Sequence, residues 1–233
     1  MKREVLDFIA ANLKDGDIIN TAGKAKWWEI HLHIAYAAIR NFQQELFGKK
    51  ADWMDTHTVI KLSKGVFSTE PPKALWVPVE KYFAREDIRY TVYRIAQRPL
   101  DDGDVAVLNN VTGNFVGRKY DYGQLLDILF NGILGYPDVE KVKWFDAGSR
   151  QKVCSVSIAA IFQKFRQMTG DSIKRLFSEI NPLKWDDKEF VKRYQKAGKG
   201  WDVEQTTPAH FANSDFFSGE IVRVFRIEGG RII

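Results

Sequence analysis

The chain has 233 residues, 45% of them apolar, with seven Trp, sixteen Phe and a mean hydropathy of −0.32, a composition that excludes disorder over most of its length. It carries one Cys, which excludes an intramolecular disulfide, and no window reaches the length of apolar sequence that crosses a bilayer. The formal net charge of +5 and pI near 9.1 come from basic residues scattered among acids, as in Lys188-Glu189-Phe190-Val191-Lys192-Arg193, so a solvated mixed-charge surface is expected and no specific nucleic-acid partner.

Along the chain, Val5, Phe8, Ile9 and Leu13 keep helical spacing over residues 3–13. Asp15-Gly16-Asp17 signals a turn, after which Ile18-Ile19 opens a short strand. From Trp27 to Phe47 the three-or-four spacing of Trp27, Ile30, His31, Ala35, Ile39 and Phe42 predicts a long helix ending at Gly48. Three β-rich runs follow, 58–62, 66–70 and 74–79, separated by Ser63-Lys64-Gly65 and Pro71-Pro72, which reads as an antiparallel meander. A further strand is expected from Ile88 to Ile95, then helix or loop over 101–117 and a Leu-rich helical stretch over 122–135. Cys154 opens another amphipathic helix running toward Met168. Thr206-Thr207-Pro208-Ala209-His210-Phe211 begins a capped turn, and a closing strand spans 221–227. The order of elements predicts one α+β domain over residues 1–233.

Three residues could carry chemistry. His57 stands before the first β run and Glu70 at the end of the next, and adjacent antiparallel strands bring such positions side by side. A carboxylate that accepts the imidazole N–H fixes the tautomer and supports the charged ring. Cys154, at the start of a helix, would have its thiol pKa lowered by the free N–H groups and positive dipole end there, and further by a neighbouring imidazolium. The same N–H groups could stabilise an oxyanion. Taken alone, each residue has a plainer reading: a core thiol, a strand histidine, a surface carboxylate.

Other features point away from further sites. His31 and His33 are two apart, which on a helix turns them about 200° from each other, and no second Cys or acid cluster adjoins them, so no metal is expected. Val111-Thr112-Gly113-Asn114-Phe115-Val116-Gly117 lacks the Gly-Lys-Ser/Thr of a phosphate-binding loop. His210 is expected to cap or pack near Pro208. Trp27, Trp28, Trp53 and Trp76 are expected in the core or lining a cleft.

Gly16-Asp17-Ile18-Ile19, Thr56-His57-Thr58-Val59-Ile60, Ser68-Thr69-Glu70-Pro71 and Val153-Cys154-Ser155, taken in that order, resemble the YiiX-like branch of the permuted NlpC-type papain-fold peptidases. Gly117-Arg118-Lys119-Tyr120-Asp121-Tyr122 is similar to that family's Gly-x-x-Tyr-Asp-Tyr segment, and the run from Thr206 to Ser214 to its late Thr-Pro segment. The likeness extends, with gaps, from about residue 15 to 225. It implies a circularly permuted papain-like fold, with the Cys154 helix packed on a β meander or barrel that carries His57 and Glu70. It also implies Cys154 as nucleophile, His57 as base and Glu70 as the orienting third member, with no cofactor. The implied function is a cysteine peptidase or amidase acting on a peptide or cell-wall peptide. The aromatic helical stretch at about 24–50 departs from the family as an insertion that could reshape the cleft. Two alternatives stay open: a lipid or thioester acyl transferase or esterase using the same site, and a non-catalytic binding module with Cys154 far from His57. Charges in Met1-Lys2-Arg3-Glu4-Val5-Leu6-Asp7, where a secretory signal would have its apolar core, set the expectation of a cytoplasmic protein.

Overall fold

A computed structural model describes residues 1–23, 30–47, 54–95, 100–121, 123, 153–169, 206–213 and 221–233. The elements, in chain order, are α1 (Arg3–Asn12), β1 (Ile18–Ala22), α2 (Ile30–Phe47), β2 (His57–Leu62), β3 (Gly65–Glu70), β4 (Lys73–Val77), α3 (Val79–Tyr82), β5 (Arg89–Ile95), α4 (Asp102–Gly113), α5 (Cys154–Thr169), α6 (Pro208–Asn213), β6 (Ile221–Glu228) and β7 (Arg231–Ile232). The class is α+β, as expected.

The strands form one seven-stranded sheet in the order β4-β3-β2-β1-β5-β6-β7, and all six pairings are antiparallel. The order is open, with β4 and β7 as the edges among the described strands. Strand alternation divides the apolar residues between two faces. On one, Ile18, Ile60, Leu62, Phe67 and Tyr93 pack against Leu108 and Val111 of α4 and against Ile158, Ile161, Phe162 and Phe165 of α5. On the other, Ile19, Val59, Val66, Tyr90 and Val92 meet Val5, Ile9 and Leu13 from the α1 region and Phe83 just after α3. The helical spacing of Val5 and Ile9, and of Ile158, Ile161, Phe162 and Phe165, is what lets each helix cover one face.

Turn chemistry fixes the register of the meander. Gly65, at φ +121°, opens β3 where an added Cβ would lie 2.6 Å from the Val77 carbonyl oxygen, so only glycine fits. The Asp15-Gly16-Asp17 turn is closed from within. Arg94 grips Asp17 with two hydrogen bonds of 2.7 Å, and the Lys14 amide donates to the same carboxylate at 2.7 Å. Lys61 and Ser63 donate to Asp15 at 2.6 and 2.8 Å, joining α1, β1 and the β2–β3 hairpin.

Several boundaries differ from the sequence reading. His57 is the first residue of β2 and does not precede it. β4 ends at Val77, because Pro78 turns the chain into the short helix α3, which the apolar run 74–79 had hidden. Residues 102–113 form a helix with a reciprocal capping box between Asp101 and Asp104. The capped turn after Thr206 is a short helix, and β7 adds a final two-residue strand. The expected helix at 122–135, Trp27, Trp28, Trp53 and the flanks of the 24–50 stretch lie outside the described residues. Trp76 packs edge-on against Phe67 in the core, centroids 5.5 Å apart. No helix among the described residues is long and apolar enough to cross a membrane.

Candidate active site

The site is built where four antiparallel strands present one face. Ile60 pairs with Phe67 across β2 and β3, and the same register carried to the strand ends sets His57 across from Glu70. On the other side of β2, His57 pairs with Thr21 of β1, which in turn pairs with Tyr90 of β5. Glu70, His57, Thr21 and Tyr90 therefore form one transverse row, four strands wide, of side chains on a single face.

Within that row the imidazole is held on its Nε2 side. Nε2 lies 2.9 Å from Ser68 Oγ and 3.3 Å from Glu70 Oε1, and the Ser68 hydroxyl donates to the same carboxylate oxygen at 2.6 Å. Ser68 and Glu70 alternate on β3 with Thr69 between them, so both turn toward His57. With Nε2 committed to the acid, Nδ1 is left for the nucleophile.

Cys154 lies within charge and hydrogen-bond reach of the His57 imidazole, and the main-chain N–H groups of Thr58 and Ser155 also face the sulfur. The Ser155 amide belongs to the first turn of α5, where N–H groups have no intrahelical acceptor. Burial pushes the thiol up, but the charge and hydrogen bond of His57, with the two amides, bring its pKa below the ordinary cysteine value. Burial also opposes the charged imidazole, yet the Cys154 thiolate and then Glu70 raise His57 to about 10. Glu70 is lowered to about 2, first by its hydrogen bond to His57, against the cost of burial, then by the imidazolium charge, Ser68 and Arg85. Half of the Glu70 side chain faces solvent, so screening weakens its share. The charges on the two partners support each other, so the arrangement favours an imidazolium–thiolate pair with a carboxylate behind the ring.

The surrounding shell locks the nucleophile end of α5. Ser155 Oγ donates to the Thr206 carbonyl at 2.6 Å. Asn20 of β1 donates to the Pro208 carbonyl at 2.7 Å and accepts from the Thr58 hydroxyl at 2.8 Å. Gln43 of α2 bridges the Asp55 carbonyl and the Ala209 amide, both at 2.7 Å, linking α2, α6 and the entry to β2. His210 is fully buried, and its Nδ1 accepts from the Thr207 amide at 2.9 Å; burial holds its pKa well below the ordinary histidine value. It caps α6 as a neutral ring, the structural role expected from the sequence. The segment 117–121 runs along the sheet edge: Ala74 and Gly117 exchange bonds with Arg118 and Ala74, and Tyr120 N–H reaches the Pro72 carbonyl at 3.1 Å.

Sequence reading found Cys154, His57 and Glu70, and the structure brings the three together. It missed Ser68 and Tyr82. Ser68 was visible in the Ser68-Thr69-Glu70 alternation, which places two polar side chains on one strand face. Tyr82 had no such signal, since α3 was hidden. Its buried hydroxyl lies beside Thr21 and in the electrostatic reach of Glu70, Tyr90 and Cys154; burial first, then Glu70 and Tyr90, keep it protonated well above the ordinary phenol pKa.

No group of three or more His, Cys, Asp or Glu side chains among the described residues is placed to hold a metal ion. The His31 side chain lies outside the described residues, and His33 is exposed on α2.

No protein-family model matches the sequence, and no curated protein does. Among solved structures, the chain is similar to the metalloprotein yiiX from Escherichia coli O157:H7 (DUF1105), at 14% identity over 91% of this chain and 97% of that one, with a TM-score of 0.48.

Proposed function

We propose that the chain is a cysteine-nucleophile hydrolase that cleaves an amide, in a peptide or cell-wall peptide, through an acyl-enzyme on a permuted papain-like scaffold. One observation carries this reading: Cys154 and His57, 97 positions apart in sequence, come within interaction distance of each other, and the imidazole is held by Ser68 and Glu70. The permutation is the chain order itself, with base and acid on β2 and β3 preceding the nucleophile on α5.

The chemistry follows from the charges. The Cys154 thiolate attacks the carbonyl carbon, and the negative charge that develops on oxygen is met by N–H groups at the start of α5. The carbon–nitrogen bond breaks as His57 gives its proton to the leaving amine. Water then adds to the thioester, His57 takes the water proton, and the carbon–sulfur bond breaks to release the acid and regenerate the thiolate. Glu70 stabilises the imidazolium in the resting state and in the second step. The binding-module alternative expects a thiol remote from His57, and the proximity of the two favours the catalytic reading over it.

The test is the rate of iodoacetamide alkylation of the single thiol between pH 5 and 9, in wild type and His57→Ala. The expected result is a thiolate that reacts well below the ordinary cysteine pKa of about 8.5 and a return to ordinary behaviour without the imidazole. Identical profiles in the two proteins would overturn the proposal. An acyl-enzyme adduct on Cys154, detected by mass after exposure to an amide or a thioester, then separates peptidase from acyl-transfer chemistry.

A further inference from the structure

The geometry points to Ser68 as a fourth member of the site, a positioning residue through which Glu70 sets the tautomer of His57. The inference rests on the hydrolase reading and deepens it. Ser68 is fully buried, whereas half of the Glu70 side chain is in solvent, so the link in the chain from acid to base that escapes solvent screening is the serine. Ser68 Oγ is also the nearer partner of the ring, at 2.9 Å from Nε2 against 3.3 Å for Glu70 Oε1.

A hydroxyl has one hydrogen to give, and Ser68 gives it to Glu70 at 2.6 Å. Toward His57 it therefore offers only lone pairs, and Nε2 must be the donor. A neutral imidazole with its proton on Nε2 has an unprotonated Nδ1, which is the nitrogen left for the Cys154 proton. Glu70 thus acts twice: directly on the charge of the ring, and by orienting the serine hydroxyl.

A consequence distinguishes this role from simple packing. In Glu70→Ala the Ser68 hydroxyl loses its acceptor, and its hydrogen is free to turn toward Nε2. That orientation favours the opposite tautomer, with the proton on Nδ1, where it blocks the base. Removing Ser68 as well takes away the misdirected donor. The double variant Ser68→Ala/Glu70→Ala is then no slower than Glu70→Ala alone, although it lacks one more polar group.

The experiment has two independent arms. In the first, the alkylation rate of Cys154 is followed from pH 6 to 10, through the range in which His57 becomes neutral, in wild type, Ser68→Ala, Glu70→Ala and the double variant, with Ser68→Thr as the conservative replacement that keeps a hydroxyl. A loss of about tenfold is expected for Ser68→Ala, the size of one hydrogen bond to a charged group, with recovery in Ser68→Thr and no additivity in the double variant. In the second, the imidazole of His57 is observed by ¹⁵N NMR in a Cys154→Ala background, at the pH where the ring is neutral. The chain has four His, so His57→Gln assigns the signal. The expected result is an Nε2–H tautomer with Glu70 present, a shift toward Nδ1–H in Glu70→Ala, and loss of that shift when Ser68 is also Ala. Additive rate losses, or a tautomer indifferent to Ser68, overturn this inference while leaving the nucleophile in place. A wild-type thiol that titrates as an ordinary cysteine overturns the hydrolase reading, and the NMR arm still reports on Ser68 by itself.

Discussion

The hydroxyl of Ser155 donates to the carbonyl of Thr206 across 2.6 Å, a fully buried bond between residues 51 positions apart. It ties the first turn of the nucleophile helix to the segment that caps α6. Ser155→Ala removes the donor and leaves a buried carbonyl to find another partner, at a cost of about 1–2 kcal/mol. A lower Tm and slower alkylation of Cys154 are expected together, because the amide that supports the thiolate belongs to the same residue. Thermal denaturation and thiol kinetics on one preparation check both.

Glu70 governs the alkaline end of the active range. Its neighbouring charge is one of the reasons His57 stands at about 10, after the Cys154 thiolate, so Glu70→Ala brings the imidazole down and the ion pair disappears at a lower pH. The sign for stability is opposite in direction. Glu70 has a folded-state pKa of about 2, below its ordinary value, so its contribution is present above that ordinary value and is lost as pH falls toward 2. The acid-unfolding curve of Glu70→Ala is therefore expected to be flatter over that span, read by circular dichroism from pH 5 to 2.

Asp17 and Arg94 make a bidentate pair with the carboxylate buried beneath it. Arg94→Ala leaves that carboxylate uncompensated and costs about 3 kcal/mol, whereas Asp17→Asn/Arg94→Met, which removes both charges, costs less than Arg94→Ala. Chemical denaturation at pH 7 distinguishes the two. Neither variant touches the thiol, some distance along β1 and β2, so the alkylation profile is expected to hold.

Tyr82 offers a protonated hydroxyl in a corner shared with the Glu70 carboxylate and the Cys154 thiolate. Tyr82→Phe keeps the ring packing against Phe83 and Tyr90, so stability is expected to change by less than about 1 kcal/mol. Loss of an O–H dipole beside two anions raises the pH at which Cys154 becomes reactive. An unmoved alkylation profile would remove Tyr82 from the site.

The elements with a clear period were legible. Val5, Ile9 and the run from Cys154 to Phe165 follow the helical repeat, and the three β runs are broken by Ser63-Lys64-Gly65 and Pro71-Pro72, so both helices and the meander could be placed within a residue or two. His57 and Glu70 were legible as a pair because antiparallel neighbours are forced into registration. Strand order was not, since nothing local in Ile18-Ile19 or in 221–227 says that β1 enters between β2 and β5 or that β6 joins the far side. Nor was α3, because Val77-Pro78-Val79 continues an apolar run and the turn depends on a proline that fits strand edges as well. The tie from Ser155 to Thr206 is a contact between two short polar stretches, and hydroxyls of that kind carry no pattern.

The transverse row has a dynamic consequence. β2 runs between β1 and β3, and His57, its first residue, pairs with Thr21 of β1, so the base stands on the backbone ladder of the sheet, among amides that exchange slowly with solvent. The nucleophile sits outside that ladder, in the first turn of a helix, where N–H groups have no intrahelical acceptor. Amide exchange near His57 should therefore follow global unfolding, and exchange in the first turn of α5 should be faster. Whatever adjustment a substrate demands falls on the thiol, while the base and the acid behind it move as one piece of the sheet.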